Sequence, residues 1–137
     1  MTYIPESLRR LVRNRAGNCC EYYLLSESDN FLSHEVDHII SEKHGGATEA
    51  DNLCLSCFDC NRHKGSDIGS IDHETGAFVR LFHPRKDHWH EHFHLDGAYI
   101  EPLTPQGRVT VNLLNVNSDS QVEKRTRLIA LGRYPRG

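Results

Sequence analysis

A mixed α+β fold is what the sequence predicts, on three observations. ESLRRLVRNRA repeats apolar residues at helical spacing between Pro5 and Gly17. The stretches CEYYLL, FLSHEVDHII and NLCLS are short and rich in aromatic and β-branched residues. A final segment from Asp119 to Leu131 reads again as helix and stops at Gly132.

In order, Pro5 suits a first helical turn and Gly17 a stop, with Leu8, Leu11 and Val12 as the buried stripe. CEYYLL and FLSHEVDHII, separated by the polar SESDN, read as a hairpin-like pair. KHGGATEADN reads as loop, NLCLS as a strand, and FDCNRHKGSD as one short helix ending at Gly69. GAFVRLFHPR alternates like a strand, and HFHLDGAYIEPL reads as a hairpin turning at Asp96-Gly97. Thr104-Pro105 is an N-cap with proline at the first helical position. With no repeat and no evident linker, the 137 residues read as a single domain, 1–137.

The hydrophobic share, 37 %, is low enough that a small core would benefit from a staple such as a metal. No apolar run approaches the roughly 20 residues that span a bilayer, and the basic N-terminus lacks the apolar stretch of a secretory signal. The five cysteines, two of them spaced Cys57-x-x-Cys60, therefore read as reduced thiols or metal ligands in a cytoplasmic protein. Net charge is −3, but residues 1–16 and 119–137 each carry +3, leaving −9 in the middle. Basic ends around an acidic centre suit a polyanion held at the flanks and cations held between them.

The chemistry concentrates in VDHIISEKHGGATEADNLCLSCFDCNRHKG, residues 36–65. An imidazole titrating near 6.5 makes His38 a candidate general base. Asp37 and Asn61 offer oxygen ligands to a hard cation such as Mg²⁺ or Mn²⁺. The Asn52 carbonyl is placed to accept from the His38 ring, and Arg62 and Lys64 are candidate phosphate contacts. A base, one Lewis acid and phosphate-binding cations together point to phosphodiester hydrolysis.

Asp37-His38-Ile39-Ile40, Gly45-Gly46, Asn52-Leu53 and Cys57-x-x-Cys60-Asn61-x-x-Lys64 resemble the HNH endonuclease signature in its H-N-N form. The resemblance implies a ββα-metal core over about 18–68, preceded by a helix and followed by an α+β section over about 72–137. It also implies DNA as substrate, His38 as the water-activating base, Asn52 as its orienter, and Asp37 and Asn61 as ligands of the catalytic ion. The run LFHPRKDHWHEHFHLDGAYIEPLTPQGRVTVNLLNVN resembles the C-terminal section of small microbial HNH proteins. One such finger cuts one strand per visit, so a double-strand break implies a homodimer. The alternative reading is a non-cleaving nucleic-acid-binding module on the same fold.

Relatives of this type often hold a structural Zn²⁺ with two C-x-x-C pairs. Here Cys57 and Cys60 keep one pair, while the other has Cys20 followed by Tyr23 where a thiolate would stand. A three-thiolate site of Cys20, Cys57 and Cys60 completed by His34 is one expectation, and loss of the metal is the other. Cys54 reads as a small core residue. His90, His92 and His94 would share one face of a strand as a metal array, or sit at the surface with Trp89 and Phe93 as anchors.

Overall fold

A computed structural model of the chain describes residues 3–136. Helix α1 (Glu6–Ala16) leads through an irregular segment to strand β1 (Glu35–His38). A loop returns the chain to β2 (Leu53–Ser56), and α2 (Phe58–Lys64) follows directly. Next come the hairpin β3 (Gly69–Ile71) and β4 (Phe78–Arg80), a single helical turn α3 (Trp89–His92), and the hairpin β5 (Phe93–Asp96) and β6 (Tyr99–Pro102). Helices α4 (Pro105–Leu114) and α5 (Asp119–Ala130) complete the described chain. The fold class is α+β, with three antiparallel strand pairs. No helix among the described residues is long and apolar enough to cross a membrane.

The β1–β2–α2 unit is the ββα core. In its register Glu35 faces Ser56, Asp37 faces Cys54 and His38 faces Leu53. Helix α1 covers one side of this hairpin: Ile4, Leu8, Val12 and Ala16 pack on Val36, Leu53 and Leu55. Leu11, expected in the buried stripe, is exposed, and Ile4 ahead of the helix takes part instead. A second cluster joins Cys20, Tyr22, Tyr23 and Leu25 to Ile39, Cys54, Phe82, Phe93, Ile100, Leu114 and Val116. Cys54 is wholly buried there, as its strand pattern predicts.

Several sequence expectations change. CEYYLL forms no strand, because Leu24 N–H donates back to the Cys20 carbonyl at 2.8 Å and Cys20 N–H to the Leu25 carbonyl at 2.8 Å. The result is a tight knuckle with Leu24 at φ 65°, and β1 pairs with β2 instead. Helix α2 ends at Lys64 rather than Gly69, since Gly65 turns away at φ 52°. The Thr104 cap forms as read, its hydroxyl accepting from Gly107 N–H at 3.0 Å. The histidine array does not form: His90 and His92 lie in the turn α3 and only His94 is in a strand. Phe93 is buried in the core, with Trp89 packed against it. The basic ends are largely spent in ion pairs, Arg13 with Glu27, Arg127 with Glu123, and Arg133 and Arg136 with Asp29.

The loop between β1 and β2 is closed by one side chain. Asn52 Oδ1 accepts from Ile40 N–H at 2.9 Å, and its Nδ2 donates to the carbonyls of Ile40 at 2.8 Å and Ala47 at 2.9 Å. Gly46 lies under this clamp, where a Cβ would stand 1.7 Å from the Ile40 carbonyl oxygen. Replacing Asn52 with alanine leaves these three part-buried backbone groups without their partner. Asn52→Ala is expected to cost about 3 kcal/mol, at about 1–3 kcal/mol per unsatisfied group. Urea unfolding of the variant against wild type measures it.

Candidate metal and base site

A cleft of about 610 Å³ runs between α1 and the ββα unit, and Glu35, Asp37, His38 and Asn61 all line it. Neighbouring residues of a regular strand point to opposite faces, so Asp37 and His38 can share a site only at a strand's end. Strand β1 ends at His38, which brings both side chains to the cleft.

Asp37 is half-buried, and its Oδ2 is a buried oxygen with no hydrogen-bond partner. Burial raises its pKa above the usual carboxylate value, against the pull of Lys64. Such an orphaned oxygen suits a cation. Asn61, on α2, donates from Nδ2 to Glu35 Oε2 at 2.6 Å, which leaves its carbonyl oxygen as the free end of the amide. Glu35 escaped the sequence reading. Its signal was its place two residues before Asp37, on the same face of the strand.

The His38 ring meets a different partner from the one expected. Its Nε2 lies 2.9 Å from Thr48 Oγ1, while the Asn52 carboxamide is committed to the loop backbone. Asn52 therefore acts at one remove, by fixing the loop that carries Thr48. Nothing in the sequence marked Thr48, because its role comes from loop closure.

The two expected phosphate contacts separate. Arg62 is exposed on α2, with its guanidinium 5.6 Å from the Phe58 ring centre. Lys64 is 2 % exposed and its Nζ donates to the His38 carbonyl at 3.2 Å. A buried ammonium tied to the backbone is a strut under His38 and does not reach a phosphate. On the facing wall, Arg9 of α1 lines the cleft with its Nε on the Ile4 carbonyl at 3.0 Å.

A second constellation lies away from the cleft. The sulfurs of Cys20, Cys57 and Cys60 are buried and all within 4.8 Å of one another. Burial pushes the Cys20 and Cys60 thiols up. The Cys57 thiol is held low by hydrogen bonds from Cys20 and Cys60. Three buried sulfurs at this separation fit a thiophilic divalent ion. His34 is not part of the cluster, its Nε2 lying against the Leu25 carbonyl at 2.8 Å.

Comparison with known proteins follows this geometry. Residues 20–67 match the family described as HNH endonuclease. The Septu protein PtuA of Bacillus mycoides (strain KBAB4) is 31 % identical over 91 residues, covering 58 % of this chain. The chain spans 13 % of that relative's length. No solved structure matches the chain.

An unpartnered buried carboxylate oxygen weakens the fold that carries it. Asp37→Asn is therefore expected to raise the melting temperature of the metal-free protein by about 2–5 °C, the response to roughly 1 kcal/mol in a domain of this size. Because burial raises the folded-state pKa of Asp37, wild-type stability should fall as pH rises from the unfolded carboxylate value through the folded one. The variant should lack that component. Thermal scans across the acid range, with chelator present, check both.

Proposed function

We propose, from the match of residues 20–67 to the HNH endonuclease family, that the chain is a metal-dependent DNA endonuclease acting through the cleft beside β1. One observation carries the reading: Asp37, His38 and Asn61 meet in a single cleft, and the buried Asp37 Oδ2 has no partner of its own.

His38 is the base. With its hydrogen on Nε2 toward Thr48, the ring leaves Nδ1 bare to take a proton from water. Thr48 fixes the ring, Asn52 fixes the loop holding Thr48, and Lys64 fixes the backbone carbonyl of His38. Asp37 and the Asn61 carbonyl hold the ion, and Glu35 keeps the Asn61 amide from rotating. Two oxygen donors with remaining positions for water and phosphate suit Mg²⁺ or Mn²⁺. When bound, such an ion supplies Lewis acidity to the scissile phosphate and the departing oxygen. Arg9, on the wall of the cleft, is placed to receive a neighbouring phosphate, and Arg62, exposed on α2, is a second candidate. Cys20, Cys57 and Cys60 are assigned to a structural Zn²⁺, which would fasten the knuckle of residues 20–25 to the start of α2.

The test is conversion of supercoiled plasmid to nicked circles with Mg²⁺, Mn²⁺ or EDTA. Wild type is expected to nick only with metal, and His38→Ala to lose about 10²–10⁴-fold, the usual contribution of a general base, while still binding duplex DNA. Thr48→Val should lose activity less severely. A wild-type protein that shifts DNA yet cuts in neither metal would be a binding module on the same fold.

A further inference from the structure

Three thiols do not complete a tetrahedral metal site, and the surroundings of the cysteine cluster supply what is missing. Tyr23 is 1 % exposed and packs in one buried cluster with Cys20, Cys57 and Cys60. That hydroxyl donates its hydrogen to Gln121 Oε1 at 3.1 Å, and Gln121 Nε2 donates to Asp59 Oδ2 at 2.7 Å. A phenol whose hydrogen is committed outward keeps its oxygen lone pairs for the cluster.

Beside Tyr23 lies Arg125, 0 % exposed. Its guanidinium carbon is 5.5 Å from the Tyr23 ring centre. Nε donates to the Ala98 carbonyl at 2.7 Å and Nη2 to Asn117 Oδ1 at 3.0 Å, while Nη1 is buried with no partner. No carboxylate pairs with this guanidinium among the described residues, and the ionisable groups its charge meets are Tyr134, Tyr23 and Cys60. A permanent cation in the interior without an anion is strongly unfavourable.

We propose that Cys20, Cys57, Cys60 and the Tyr23 hydroxyl form one S₃O site for a thiophilic divalent ion, zinc, and that Arg125 is its counter-charge. This rests on the structural-zinc assignment above. A divalent ion with four thiolates carries two negative charges. With three thiolates and a neutral phenol it carries one, which a single arginine balances. Tyr23 and Arg125 thus belong together: the lost thiolate removes the charge that one buried guanidinium would have left unmatched. Because Arg125 and Gln121 both lie on α5, the ion also ties the last helix to the knuckle and to α2.

Metal-stripped, reduced full-length protein is titrated with Zn²⁺ against a chromophoric chelator, and with Co²⁺ for its absorption spectrum. With excess Mg²⁺ present to occupy the Asp37–Asn61 cleft, one Zn²⁺ or Co²⁺ per chain is expected at the cysteines, with a Co²⁺ spectrum of three sulfurs and one oxygen. Tyr23→Cys should move that spectrum to the four-sulfur pattern. Tyr23→Phe and Arg125→Met should each weaken Zn²⁺ binding about 10–100-fold, the usual effect of removing a supporting residue at a metal site. Arg127→Met, on the exposed face of α5, should leave it unchanged. Wild type that takes up no ion overturns both this site and the zinc assignment. Wild type that binds one ion with an affinity indifferent to Tyr23→Phe and Arg125→Met overturns the S₃O site alone. If Arg125→Met does not fold, the Co²⁺ spectrum decides: an identical spectrum in wild type and Tyr23→Phe overturns the proposal.

Discussion

The geometry of the cleft depends on how Asn52 closes the loop between the first two strands. A loop of this length has many conformations, and ordering it costs conformational entropy residue by residue. Three hydrogen bonds from one carboxamide to Ile40 and Ala47 hold the two ends of the loop together. Gly46 lets the backbone approach closely enough for those bonds to form. The loop so closed carries Thr48, whose hydroxyl meets the His38 ring. The His38 ring is thereby oriented through the backbone, by a residue whose carboxamide is bonded to the loop.

The other half of the cleft is set by α2, and α2 is set at its first turn. The Cys57 sulfur accepts from Cys60 N–H at 3.4 Å at the helix start, and both sulfurs face that of Cys20. A helix this short has little stability of its own, so its position comes from what its ends are attached to. One end is the sulfur cluster, and the other is Lys64 reaching back to the His38 carbonyl. Asn61 sits between these anchors, facing Glu35. The cleft is therefore built by fixing the supports of the side chains that line it as well as the side chains themselves.

Much of this was legible in the sequence, and the parts that were not share a cause. Asp37, His38, Asn61 and the two cysteines of C-x-x-C could be found because their spacing is local and their side chains are chemically distinctive. The α1 cap and the Thr104 cap could be read because prolines of fixed φ mark them, and the β5–β6 turn because Gly97 takes the positive φ it needs. Thr48, Glu35 and the direction of Lys64 could not, since each depends on which backbone groups a distant segment leaves within reach. CEYYLL misled for the same reason. Its composition favours a strand, but its hydrogen bonds close within six residues, and tertiary context overrides β propensity. The charge asymmetry misled because counting signs along the chain ignores pairing: Asp29, buried in the middle section, absorbs two arginines of the C-terminal end.

The closed loop has a consequence for variation. The clamp holds Ile40, Ala47 and Asn52, and of the arc between them Glu42 lines the cleft while Gly46 lies under the clamp. Lys43 and His44 are exposed on that arc, ahead of Gly45, which turns the chain at φ 86°. Variation at the rim of the cleft is therefore confined to such outward positions, which can change what approaches the cleft while Gly46 and the clamp keep the strands in register.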